Sequence, residues 1–409
     1  MRLPSIGQAR ILDSLHYHDF RWVFVGSFAS FMGMSMVLIT QAWLVVTLSD
    51  DSPIALSMSI VTITAPMTMF SLLGGALADR VSRRLLVIVG QSGSAIMMFL
   101  MATLNATDVI TLWQVLGISL MNGSLMAFSM PSRQAMISDI VPQNRLMNAI
   151  SLNNSSMNLT RILGYAIAGF LILFVGTSGV FYLISLVYIF SALSMFKVQA
   201  GTKPSTNSGK GLTTDIHEGM TYVFNDKTLF GLVIMMFIPA LFGYSYYALL
   251  PAWGREALNI NSDDLGLMMM LMGVGALIGT LILASMHSFN RRGIFLLGFC
   301  LLWGIFLAVF AKTTSYYYAV PLLMAIGLLN SVFMSLNTTL LQMNAAPEMR
   351  GRVMSIAQMS FGAMPLSGVP FGIMAEFTGT PFALMMSGIL LVCFTSIFAI
   401  IYPHYRRIK

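Results

Sequence analysis

One ionised side chain sits deep inside an apolar stretch of this sequence. Arg161 shares that stretch with Asn154, Asn158 and Tyr165, spaced four, three and four residues apart. On a helix that spacing puts all four on one face. Such a face is a poor match for hydrocarbon and belongs against a water-filled cavity. The forked guanidinium suits a carboxylate or catecholate oxygen of a substrate; alternatively, Arg161 bonds carbonyls or amides of a neighbouring segment. Softer candidates for substrate contact are Asn122, beside Ser124, then Asn330, Met334 and Asn337 at spacings of four and three, and Gln358. Tyr244 and Tyr247 lie one turn apart. They either stack on an aromatic substrate or anchor at a membrane interface, the anchor being preferred.

Catalytic chemistry is not indicated. The sequence has no HExxH, P-loop or GxSxG pattern, so an enzyme is not expected. Gly273, Gly275 and Gly279 loosely resemble a dinucleotide fingerprint but lie inside an apolar run, where helix packing explains them better. His16, His18, His217, His287 and His404 all fall outside the apolar runs, and Cys300 and Cys393 fall inside them as small core residues. No metal site and no cofactor are expected. The 35 methionines, including Met268, Met269, Met270 and Met272, suit an adaptable apolar pocket but more often fill a core.

The elements that must position these groups follow from composition. The 409 residues are 57% hydrophobic and 9% charged, with a mean hydropathy of +0.80. A water-soluble domain cannot hide that much apolar surface. Runs of about 20 residues suit membrane-spanning helices better than barrel strands. Twelve spans are predicted, near 20–48, 54–78, 85–104, 109–130, 147–174, 180–196, 228–250, 264–286, 294–311, 317–340, 353–375 and 382–402. A polar stretch rich in Gly, Ser, Thr and Lys divides them six and six. The predicted organisation is a first six-helix bundle over 1–198, a cytoplasmic linker over 199–226 and a second six-helix bundle over 227–409.

Nineteen of the 22 Lys and Arg residues fall on one side of this arrangement, against Arg255 and Lys312 on the other and Arg161 within a span. Basic residues near span ends are retained in the cytoplasm, so both termini and the linker are predicted to be cytoplasmic. The acidic residues divide almost evenly. The net charge of +7 is therefore topological and does not point to nucleic acid.

The two bundles repeat. GALADRVSRR at 75–84 and GTLILASMHSFNRR at 279–292 fill the same loop of each half, as do VPQNRLMNAI at 141–150 and APEMRGRVMSI at 346–356. Pro142 with Pro347, and Arg145 with Arg350, share one offset, as expected of a parallel repeat about an axis along the membrane normal. At these residues the chain resembles the major facilitator superfamily. Gly75, Leu77, Ala78, Asp79, Arg80, Arg83 and Arg84 match the family's loop signature, with Ser82 where glycine is usual. The resemblance implies a conformational latch made by Gly75, Asp79, Arg80, Arg83 and Arg84 with Arg145 and Arg350. In it, Asp79 accepts bonds from the cations or caps a helix across the gap between halves. HDFRWVF at 18–24 and PSRQAMISDIVPQNRLMNA at 131–149 narrow the likeness to enterobactin-exporter-like and drug-efflux members. The second of these segments reads as an amphipathic cytoplasmic loop carrying Arg133, Asp139 and Arg145. Gly164 and Gly169 partly match an antiporter glycine motif and equally suit close helix packing.

The resemblance implies an all-α fold of twelve transmembrane helices in two pseudo-symmetric bundles. It also implies a secondary transporter in a bacterial cytoplasmic membrane that exports a small amphiphilic or anionic organic molecule by alternating access. Siderophore-like or drug-like cargo and proton antiport are the expectation. The partners are then the small-molecule substrate, membrane lipid and protons, and the protein is a monomer. No Asp, Glu or His lies in the middle of a span, so coupling has to run through a carboxylate at a cavity mouth or through the substrate's own charge. The competing readings are an uptake symporter, a uniporter, and a receptor or scaffold that does not transport.

Overall fold

The apolar runs fold as α-helices because a backbone without access to water must bond within its own segment. The computed structural model describes residues 13–199, 212–285, 292–346, 349–403 and 405. A short 3-10 turn, Asp13–His16, leads into α1 (His18–Leu48). Then come α2 (Pro53–Arg80), α3 (Arg83–Ala106), α4 (Leu112–Ile140) and α5 (Gln143–Phe196). A shorter helix, α6 (Leu212–Asn225), precedes α7 (Lys227–Phe242), α8 (Ser245–Leu258) and α9 (Ser262–Ser285). The chain ends with α10 (Arg292–Ala311), α11 (Tyr316–Asn344), α12 (Arg350–Thr378) and α13 (Thr380–Ile401). Among the described residues, eight helical stretches are long and apolar enough to cross a membrane.

Local chemistry marks the boundaries. Ser82 caps α3 by accepting from Leu85 N, Thr111 and Gln114 form a capping box at the start of α4, and Asp226 caps α7 through Thr228 N and Leu229 N. Inside α5 the helix breaks at Gly176, whose φ of 66° and ψ of 176° suit glycine alone. The 54 residues of α5 are thus two helices meeting at a sharp corner.

Two expectations need correction. The segment 131–140, expected as a cytoplasmic loop, continues α4 to Ile140, leaving only Val141 and Pro142 before α5. Its buried residues Ser132, Arg133, Met136 and Ile137 recur at helical spacing, and Met136 and Ile137 join a core with Phe20, Val23 and Val87. That face has partners, so the helix persists. The stretch 199–226 also holds structure. Within it, α6 is tied to the second half of the chain, since Tyr222 Oη accepts from Ala346 N at 3.1 Å.

Packing groups the helices. α1, α3 and α5 pack together, as do α2, α3 and α4; α9, α10, α11 and α13 form a second group, with α7 and α8 against α12 and α13. Two seams join the groups: α5 on α9 and α2 on α12. At one point the first seam brings backbone onto backbone. A Cβ placed on Gly169 would lie 2.8 Å from Gly266 Cα and 2.7 Å from Ser262 O. Gly169 is thus a close-packing glycine, and any larger residue there forces α5 off α9.

The junction of α7 and α8 is a second built feature. Pro239 lies one turn before it, and Gly243 N bonds Pro239 O at 2.7 Å. A side chain on Gly243 would meet Trp303 at 3.0 Å. The break frees the Phe242 carbonyl, and Ser387 of α13 donates to it. Ser245 in turn donates to Ser387 Oγ at 2.5 Å.

Substitutions at both features have expected outcomes. Ser387→Ala strands the buried Phe242 carbonyl and is expected to lower stability by about 1–3 kcal/mol, read by thermal unfolding in detergent, whereas Ser387→Thr largely preserves it. Gly169→Val is expected to cost about 1–3 kcal/mol through overpacking, read by the same melting curve. Gly117→Val is the control: a Cβ there meets nothing within 4 Å, and stability is expected to stay within about 0.5 kcal/mol of the wild type.

Candidate functional site

The broken α7–α8 rod presents three phenols in four residues. Tyr244 occupies the cap position of α8, and Tyr246 and Tyr247 follow in its first turn. Tyr244 meets the edge of Trp303 at 5.2 Å and stacks on Tyr247 at 5.9 Å, while Tyr246 and Tyr247 stack at 4.6 Å. Tyr244 and Tyr246 are buried, and Tyr247 is partly buried. The preferred expectation of interfacial anchoring for Tyr244 and Tyr247 is therefore corrected. A helix break turns their rings inward, a feature that span-wide hydropathy does not register.

Arg161 of α5 enters this aromatic group from the other helix group. Tyr165, one turn further along α5, and Tyr247, Tyr244 and Tyr246 of the opposing group lie in the electrostatic neighbourhood of its guanidinium. The orientation follows from the helix. Asn154, Asn158, Arg161 and Tyr165 cover about 60° of arc, given 100° per residue. The exposed apolar residues Leu159, Leu163, Ile167, Phe170 and Phe174 lie about half a turn round from them. Lipid is the partner of the apolar stripe, so the polar stripe faces the interior. Along it, Asn154 is exposed, Asn158 and Arg161 are partly buried and Tyr165 is buried. Among the described residues no carboxylate pairs with Arg161, whereas Arg83 pairs with Asp139 and Arg255 with Asp51.

Other candidates fall at different depths. Asn330 of α11 lies beside the Tyr244 hydroxyl, and its buried Nδ2 has no partner in bonding geometry. Asn337, one face and two turns further along α11, donates Nδ2 to Leu232 O of α7 at 3.1 Å, with Oδ1 unpartnered. Asn122 of α4 is buried with Oδ1 unpartnered. Gln358 lies outside the residues whose side chains are described. Sequence reasoning missed Tyr246 and Arg133. The run of tyrosines at 244–247 was the available signal for the first. Arg133 is 3% exposed, so Arg161 is not the only arginine enclosed by the helices.

Of the residues of the expected latch, the structure describes the side chains of Arg83, Arg84 and Arg145. Arg83 Nη1 donates to both Asp139 oxygens at 2.9 and 2.8 Å, and to Ala135 O. Arg84 donates to Met195 O and Phe196 O, each at 2.9 Å. These contacts tie α3 to α4 and α5 within one helix group. Arg145 is partly buried, and the side chains of Gly75, Asp79, Arg80 and Arg350 lie outside the description. Polar contacts across the two groups occur at the opposite end. There Arg255 pairs with Asp51 at 3.1 Å and lies over Trp43, and Ser52 Oγ donates to Glu376 at 3.0 Å. Asp50 and Asp51 take left-handed φ values of 48° and 65°, which turn this corner so that Asp51 faces Arg255.

An arginine without a carboxylate partner among the described residues can hold a carboxylate or another anion, and nearby tyrosine rings offer stacking surface to an aromatic or apolar body. Known proteins place the chain accordingly. It is 26% identical over 392 residues to the staphyloferrin A transporter of Staphylococcus aureus, covering 92% of this chain and 95% of that one. It is 22% identical over 399 residues to macrolide efflux protein A of Streptococcus pyogenes, covering 92% and 95%. The multidrug efflux pump Tap of Mycolicibacterium fortuitum is also 22% identical, with 92% and 93% covered. In structure the chain is similar to the nucleoside transporter NupG, with a TM-score of 0.70 at 15% identity over 95% of this chain and 99% of that one. It is likewise similar to a bacterial homologue of the lysosomal transporter Spinster, with a TM-score of 0.75 at 12% identity over 95% and 96%. The model of one family, described as transmembrane secretion effector, matches residues 11–405. The chain belongs to that family and is a major facilitator superfamily transporter, not an enzyme.

Proposed function

We propose that this transporter exports a small organic molecule carrying an anionic group beside an apolar or aromatic body, by alternating access between two six-helix halves. The single observation that carries this reading is Arg161, which no carboxylate pairs with among the described residues, on a polar face of α5 shared with Tyr165, with Tyr244, Tyr246 and Tyr247 of the other helix group in its neighbourhood. An enclosed cation is costly unless something balances it, and here the balancing charge is the cargo's. Three of the four phenols come from the other helix group, so a ligand on Arg161 bridges both halves. The relatives named for a siderophore, macrolides and multiple drugs support export of such molecules.

Twelve spans follow if α5 counts as two helices about Gly176 and α7 with α8 as one broken rod, with α6 lying in the linker. The positive-inside bias supports cytoplasmic termini. The end bearing Asp51, Ser52, Arg255 and Glu376 is then the outer gate. Those contacts hold that gate shut while the inner side is free to load. Asp51 and Glu376 each reach across the gate, so neutralising either carboxylate favours outward opening. That is a route for proton antiport without a carboxylate in the middle of a span.

A thermal-shift screen of siderophores, macrolides and lysolipids on the purified protein identifies cargo, because a ligand of the folded state raises apparent stability by mass action. With cargo in hand, Arg161→Ala is expected to cut proteoliposome transport roughly 30- to 150-fold, equivalent to about 2–3 kcal/mol of charge-assisted bonding, with Arg161→Lys intermediate and melting unchanged. Full transport by Arg161→Ala would sink the proposal, and net uptake in oriented vesicles would reverse the direction. Asp51→Asn removes a partly exposed pair worth under about 1 kcal/mol. It is expected to leave the melting point nearly unmoved while speeding thiol labelling of a cysteine placed at Ser57.

A further inference from the structure

We propose that Arg133 forms the floor of a second anion site, distinct from Arg161, which takes one compact anionic group: a carboxylate head or a halide. The site lies between α1, α3 and α4. It is a cavity of about 10 Å³ lined by Arg133, Gln91, Ser30 and Ser129, with Phe31 and methionine side chains around them. As it stands that is room for a single water, so an anion enters by displacing the water while the flexible methionine side chains around the hollow give way.

Arg133 is 3% exposed, and its Nε has no hydrogen-bond partner. The nearest acid along its own helix, Asp139, is engaged by Arg83 at 2.8 Å. Gln91 is 1% exposed with Oε1 unpartnered, and Tyr188, 0% exposed, has an unpartnered hydroxyl and interacts electrostatically with Arg133. A water can fill the hollow and satisfy Nε–H. Among the described residues it leaves the positive charge uncompensated, and an uncompensated enclosed charge is the costly part. An anion satisfies both demands. Arg133 supplies charge-assisted donors, and the hydroxyls of Ser129 and Ser30 supply neutral ones. Gln91 joins them once its terminal amide turns to present Nε2, since the two ends of an amide are interchangeable by rotation. The small volume excludes a whole drug-sized body and admits only a head group. The site stands whatever the direction of transport and whatever the role of Arg161.

The test is thermal unfolding of the purified full-length protein at fixed ionic strength, replacing sodium gluconate with sodium bromide or with sodium formate. Gluconate is too bulky for the hollow. The wild type is expected to gain a few degrees, saturably, in at least one of the two small anions. Bromide alone marks a halide site, and formate alone marks a carboxylate head-group site. Arg133→Gln is expected to lose the response. If that variant fails to fold, Gln91→Glu decides, because it places an internal carboxylate opposite Arg133. It is expected to melt higher than the wild type in gluconate and to ignore both anions. A wild type that responds to neither anion, or a Gln91→Glu protein that responds as the wild type does, overturns the proposal.

Discussion

A partly buried guanidinium that no carboxylate pairs with among the described residues is the constraint on which the proposed function of this protein depends. Arg161 cannot shed its proton, so the helices around it must either solvate it or leave room for something that does. The structure places tyrosines in its neighbourhood. Tyr165 lies one turn along the same helix, and Tyr244, Tyr246 and Tyr247 come from the opposing group. That supply of rings depends on the α7–α8 break, which depends on Pro239, on the absence of a side chain at Gly243, and on the serine pair that satisfies Phe242. Each of these elements is explicable once the cation is in place.

Much of this was legible in the residues themselves. The membrane class, the helical architecture and the polar stripe on α5 follow from hydropathy and from spacing at the helical period. The stripe reads correctly because Asn154, Asn158, Arg161 and Tyr165 share a helix, and the exposed leucines and phenylalanines on the opposite side carry the complementary signal. What was illegible has two physical causes. Hydropathy averaged over a span cannot see a helix break, so the tyrosines of α8 looked like interfacial anchors when they turn inward. Polarity also cannot tell a solvated loop from a helix end that packs on one face. The segment around Arg133 carries enough charge to resemble a loop, yet its buried residues pack on α1 and α3.

The two enclosed arginines differ in a way that bears on their roles. Arg161 lies at the seam between helix groups, where the proposed alternating access would change its surroundings. Arg133 lies inside one group, among α1, α3 and α4, whose packing that motion would leave alone. A charge at the seam is suited to sensing cargo. A charge within a group is suited to holding a constant occupant through the whole cycle.

The meeting of Gly169 with Gly266 carries a mechanical consequence. Most helix contacts interlock side chains, and sliding one past the other means prying knobs out of holes. Here two stretches of peptide touch with nothing protruding between them. At that point no rotamer has to change for one stretch to shift on the other. Side chains interlock on this seam further along, where Ile162 packs against Gly273.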